Sequence, residues 1–167
     1  NRKYVKSRRR RSFVTNIPSR IWDINTPISW RFLATYDAEY AQMIRDGFQF
    51  WSDNSCLSFQ ENGQRTPIIN GRLNISREQT LSLDTGCQGV GTIQHEIAHA
   101  LGMDHAQSRS DRNQFITIYP EKINKALIGN FDLLKPEENN NFGVEYDYGS
   151  VLHYPDGSVY DYNIPSI

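Results

Sequence analysis

The stretch His95-Glu96-Ile97-Ala98-His99-Ala100-Leu101-Gly102-Met103-Asp104-His105 places three histidines and a glutamate at spacings that one local structure reconciles. Four residues advance an α-helix by about 400°, so His95 and His99 leave one face a single turn apart and can both offer an imidazole nitrogen to one Zn²⁺ ion. His105 lies six residues past His99, roughly 240° around an unbroken helix, and could not reach the same ion. The helix must therefore end first. Gly102 supplies the ending, because glycine can take the left-handed conformation that stops a helix and turns the chain sharply back. Three neutral imidazoles leave one tetrahedral position open for water, the arrangement of a catalytic zinc and not of a closed structural one. Glu96 sits about 100° from His95, too far round to be the best ligand but close enough to hydrogen-bond a water in that position, which makes it the natural proton acceptor.

Gly102 and His105 at their positions lower the chance of an accidental match to on the order of 10⁻⁵ per chain, so coincidence is set aside. The fourth histidine, His153, has no such spacing and is expected to be a hydrogen-bonded structural residue.

Helical spacing begins at Gly91, with Ile93, Ile97, Ala98, Ala100 and Leu101 forming the apolar side. Upstream, residues 37–52 place Tyr40, Met43 or Ile44, Phe48 and Trp51 at spacings of three and four, which predicts an amphipathic helix capped by Asp37. That aromatic stripe is core. Pro27 to Phe32 alternates as a half-buried strand does, and Leu57–Phe59, Ile68-Ile69, Leu81–Leu83 and Ile116–Tyr119 are further strand-like runs. Glu137 to Asn141 reads as a surface loop. The order of elements predicts an α+β domain, a mixed and mostly β sheet packed on two long helices.

At 167 residues the chain is the size of one domain. No stretch approaches the roughly 18 consecutive apolar residues of a membrane span. The near-neutral charge hides an asymmetry: seven basic and no acidic residues lie in positions 1–11, while the other eleven basic residues face nineteen acidic ones, a net −8 over residues 12–167. The run Arg8-Arg9-Arg10-Arg11 reads as a processing site, where a basic-specific protease would release a new terminus at Ser12. Residues 1–11 are thus expected to be a propeptide remnant and 12–167 the functional domain. No nucleic-acid role is expected, because the body is acidic and the basic run has no interleaved aromatic beyond Tyr4. Asn74-Ile75-Ser76 is a glycosylation acceptor triplet compatible with secretion, and two cysteines, Cys56 and Cys87, do not decide the redox compartment.

Several segments together resemble the astacin family within the metzincins. They are Gly86-Cys87 and Gly91-Thr92-Ile93 before the zinc motif, Arg109-Ser110-Asp111-Arg112 after it, and Tyr146-Asp147-Tyr148-Gly149-Ser150-Val151-Leu152-His153-Tyr154, which is similar to that family's methionine turn. With Trp22 and the Pro27–Phe32 strand, the likeness runs over residues 12–155. It implies a two-lobed zinc protease domain, secreted as a zymogen, with one Zn²⁺ per chain and protein or peptide substrates. It assigns Tyr154 as a further, movable zinc ligand and catalytic residue beside Glu96, and Thr80–Leu83 as the edge that binds extended substrate.

The chain departs from the pattern in places. Leu152 stands where the family has methionine, Ala106 where it has the glutamate that receives the mature N-terminus, and Asn113 where aspartate is common. By the same likeness, the partner of Cys56 falls beyond Ile167 and that of Cys87 is not found around residues 69–75, so both are expected unpaired. The family's last helix is expected past Ile167, making the domain incomplete at its C-terminus. The resulting expectation is a zinc endopeptidase of internal peptide bonds. The alternative is a weak or inactive relative that binds zinc and peptides.

Overall fold

The computed structural model describes residues 14–15, 21–62, 80–83, 89–137 and 139–155. The basic segment, Ile68-Ile69, the glycosylation triplet and Cys87 lie outside the described residues. The elements run β1 (Val14–Thr15), β2 (Ile28–Trp30), α1 (Ala38–Asn54), β3 (Phe59–Glu61), α2 (Val90–Ala100) and β4 (Asn139–Asn140), with short 3₁₀ turns between α2 and β4.

Helix α1 starts where the sequence predicts. Asp37 is extended, and its carboxylate accepts the Tyr40 N–H at 2.8 Å, satisfying a donor that the first turn cannot. Tyr40, Ile44, Gly47 and Phe48 form the buried face. A Cβ on Gly47 would stand 2.6 Å from Ile93 Cγ2 and 3.1 Å from Ile97 Cδ1, so at this glycine α2 side chains occupy the space a side chain of α1 would need. Ile93 and Ile97 are fully buried there, with Trp22, Ile28, Leu83 and Leu101 completing the main core. Trp22 also donates its indole N–H to the Ala100 carbonyl at 3.1 Å, tying the N-terminal segment to the end of α2.

β2 and β3 pair in parallel, Ile28 opposite Phe59 and Trp30 opposite Glu61, with α1 as the crossover. Trp30 stacks on Phe48 at 4.2 Å, and Arg45 of α1 grips Glu61 with two hydrogen bonds of 2.8 and 3.0 Å. That guanidinium holds the Glu61 carboxyl below its usual range.

The sheet differs from the one expected. Among the described residues the four strands make two separate pairs, β2–β3 and the antiparallel β1–β4. Leu81–Leu83 joins neither: its alternation serves packing, with Leu83 in the core and its carbonyl accepting from the Tyr40 hydroxyl at 3.4 Å. Ile116–Tyr119 runs instead into a 3₁₀ turn at Pro120–Lys122, where proline fixes φ and lacks the N–H a ladder needs. The polar Asn139-Asn140, read as loop, is strand, because main-chain pairing with Val14–Thr15 requires no apolar alternation.

Replacing Gly47 with alanine is expected to lower stability by about 1–2 kcal/mol, overpacking outweighing the gain in helix propensity. Gly91→Ala, whose Cβ would meet nothing within 4 Å, should raise it by up to about 1 kcal/mol. Urea unfolding of both variants is the check; equal stabilisation would mean the helices are not this closely packed.

Candidate metal centre

Helix α2 ends in a Schellman motif. Leu101 is the C-cap, Gly102 has φ +93°, the Gly102 N–H donates to the His99 carbonyl at 2.9 Å, and the Met103 N–H reaches back to the Ala98 carbonyl at 3.1 Å. The reversal brings His105 alongside the two helical histidines. Their Nε2 atoms lie 2.9 Å apart (His95 and His99), 3.2 Å (His99 and His105) and 3.3 Å (His95 and His105).

These short separations are not hydrogen bonds between rings. Nδ1 of His95 faces the Val151 carbonyl at 2.7 Å, and Nδ1 of His99 faces the Met103 carbonyl at 2.8 Å. A carbonyl only accepts, so both Nδ1 atoms carry hydrogen, which in a neutral ring leaves the lone pair on Nε2. Burial first, then repulsion from His99 and His95, pushes the His105 imidazole down to about 4, which favours its neutral, ligating form. Converging lone pairs repel one another unless a cation lies between them. Tetrahedral ligands at about 2.0–2.1 Å from zinc sit about 3.3 Å apart, close to the spacing found here. The donor set and its orienting carbonyls therefore fit Zn²⁺, and His95, His99 and His105 form the one such cluster among the described residues.

The turn at residues 146–154 builds the underside. It folds on local bonds, from Gly149 N–H to the Asp147 carboxylate at 3.0 Å and from His153 N–H to the Ser150 carbonyl at 2.9 Å. Leu152 is buried against Ala98 and Ala106, with Trp51 and Met103 beside them, and its carbonyl accepts the Ala106 N–H at 2.9 Å. Leucine thus fills the place expected for methionine with apolar bulk. His153 is structural, as expected: Nδ1 donates to the Tyr154 carbonyl at 2.7 Å, and Nε2 accepts from the Tyr146 hydroxyl at 2.8 Å. Burial pushes the Tyr146 phenol up to about 12, keeping that proton in place.

Arg109 and Arg112 lock the following loops to this underside. Arg109 binds Asp111 with two bonds of 2.9 and 2.8 Å and the Val144 and Glu145 carbonyls at 3.0 and 3.3 Å. Arg112 donates to the Gln107 and Phe131 carbonyls. The Asp111 carboxyl is held below its ordinary range chiefly by Arg109.

Glu96 is half-buried on α2, one residue from His95. The Tyr154 ring meets His105 at 4.6 Å between centroids, and its hydroxyl lies 3.3 Å from Asn130 Nδ2. Asn130, Gln107 and the two orienting carbonyls are not marked in the sequence. Backbone carbonyls leave no signature in residue types, and the turn that presents Asn130 has no periodicity. Cys56 is exposed with a free thiol. No helix among the described residues is long and apolar enough to cross a membrane.

Residues 14–164 match the family profile described as Astacin, a family of peptidases. The zinc metalloproteinase dpy-31 of Caenorhabditis elegans is 37% identical over 163 residues, covering 89% of this chain and 27% of that protein. The zinc metalloproteinase nas-37 of the same nematode is 35% identical over 160 residues, covering 90% and 21%. The chain thus spans about a quarter of the length of these relatives. Among solved structures, high choriolytic enzyme 1, a hatching enzyme zinc-protease from Oryzias latipes (Medaka fish), superposes with a TM-score of 0.67 at 28% identity, covering 81% of this chain and 74% of that one. Myroilysin, at 19% identity and a TM-score of 0.56 over 86% and 83% of the two chains, shares the fold alone. The fold is the metzincin type, and the chain belongs to the astacin family of zinc metalloproteinases.

Proposed function

We propose that this chain is the catalytic domain of a secreted zinc endopeptidase that hydrolyses internal peptide bonds of proteins, with His95, His99 and His105 holding one Zn²⁺. The observation that carries this reading is the convergence of three Nε2 atoms within 2.9–3.3 Å of one another, two of them on rings oriented by main-chain carbonyls. Zinc bound there would polarise a peptide carbonyl and make an adjacent water acidic.

Glu96 takes the proton of the attacking water and returns it to the leaving amine. Its carboxylate has no hydrogen bond or ion pair among the described residues to compete with that task. Tyr154, also the movable further ligand, donates a hydrogen bond to the carbonyl oxygen as charge develops on it. Thr80–Leu83, outside both strand pairs, is the segment proposed to hold extended substrate through main-chain hydrogen bonds. The domain is read as residues 12–167, freed by a basic-specific protease cutting after Arg11. Ala106, buried against Leu152, offers a new terminus no carboxylate at that position.

Zinc added to chelator-treated protein is expected to bind at one ion per chain and raise the melting temperature, since it binds the folded state. His95→Ala, His99→Ala or His105→Ala should each weaken that binding by about 10³-fold or more in a competition titration. An undiminished affinity in any one of them would remove that histidine from the ligand set.

With quenched fluorescent peptides, Glu96→Gln should lower kcat by about 10²–10⁴-fold while zinc stoichiometry is unchanged. Tyr154→Phe should lower it by about 10²–10³-fold. Folded, zinc-loaded parent protein that cleaves nothing would replace this reading with that of a zinc- and peptide-binding relative.

A further inference from the structure

Tyr154 is contacted at its backbone, its ring and its hydroxyl. Its main-chain N–H donates to Gln107 Oε1 at 3.2 Å, its ring meets those of His105 and Phe131 at 4.6 and 5.7 Å, and its oxygen lies 3.3 Å from Asn130 Nδ2. Asn130 and Phe131 belong to the 3₁₀ turn Ile128–Phe131. That turn is fixed independently of Tyr154: the Asn130 N–H donates to the Leu127 carbonyl at 3.0 Å, and Ser108 Oγ donates to the Asn130 carbonyl at 3.3 Å. The Ser108 carbonyl in turn accepts the Leu134 N–H at 2.8 Å, and Arg112 holds the Phe131 carbonyl. Asn130 is therefore presented by a turn tied to the same Ala106–Ser108 segment that follows His105.

A phenol has one donor hydrogen and two acceptor lone pairs, whereas an amide N–H can only donate. When Asn130 Nδ2 donates to the Tyr154 oxygen it occupies a lone pair and leaves the phenol hydrogen free for another acceptor. That is the state required of a group that must donate to a carbonyl oxygen gaining charge. We propose that Asn130 is a positioning residue for Tyr154, holding the phenol oxygen as an acceptor so that its hydrogen is presented to the reacting carbonyl. The inference rests on the role proposed above for Tyr154.

The test compares zinc-loaded parent protein with Asn130→Ala, Asn130→Asp, Tyr154→Phe and the double variant of Asn130→Ala with Tyr154→Phe. Losing one hydrogen bond of ordinary strength should lower kcat about 10-fold in Asn130→Ala, with KM within about two-fold. The same substitution should cost nothing further once Tyr154 is phenylalanine. Asn130→Asp keeps the shape but offers an acceptor that draws the phenol hydrogen to itself, so kcat falls at least as far. Independently of activity, the ¹³Cζ resonance of Tyr154 in metal-free protein, identified by its loss in Tyr154→Phe, should move in both Asn130 variants. An equal loss of kcat with and without the phenol would assign Asn130 to packing and overturn the proposal. So would full activity in Asn130→Ala, or an unmoved ¹³Cζ resonance. If Tyr154→Phe itself leaves kcat unchanged, the role of Tyr154 has failed and this inference falls with it.

Discussion

The constraint on which the site depends is the reversal of the chain at Gly102. Two imidazoles can be delivered to one ion by a single turn of helix, but a third from the same helix cannot, so the chain has to leave the helix within a few residues of His99. A φ of +93° at Gly102 does this without the strain a side chain would bring. The same motif presents the Met103 carbonyl to Nδ1 of His99, so the device that ends the helix also fixes a tautomer in the site. One backbone reversal thus decides the position of His105, the orientation of His99 and the entry into the Ala106–Ser108 turn.

What surrounds that reversal is organised to hold it. α1 lies close against α2 because Gly47 leaves room for Ile93 and Ile97, which makes the helix that carries His95 and His99 part of the main core. The turn at residues 146–154 gives the Val151 carbonyl to His95, packs the Leu152 side chain against Ala98 and Ala106, and sets the Tyr154 ring at a steep angle to that of His105. Arg109 and Arg112 then direct their donors to carbonyls of residues 107, 131, 144 and 145, joining loops that have little regular structure of their own. Rigid helices position two histidines; hydrogen-bonded loops position the rest.

This division explains what was legible in the sequence. The two helices were, because apolar spacing and the caps Asp37 and Gly102 are local features. The three histidines were, because their spacing permits one geometry. The sheet was less so. Leu81–Leu83 has the alternation of a strand but uses it for core packing, and Asn139-Asn140 lacks alternation yet pairs with Val14–Thr15. Pairing is a long-range property of backbone groups that every residue carries, so residue identity reports it poorly. The same holds for the carbonyls of Met103 and Val151 and for Asn130, whose part depends on a turn fixed by Ser108 and Leu127.

X-ray absorption at the zinc edge of the loaded protein tests the central claim most directly, since it reads the ligands without reference to activity. Multiple scattering from three imidazoles is expected, with nitrogen or oxygen neighbours at about 2.0–2.1 Å and no sulfur. A shell of sulfur at about 2.3 Å, drawn from Cys56 or Cys87, or fewer than three imidazoles, would contradict it.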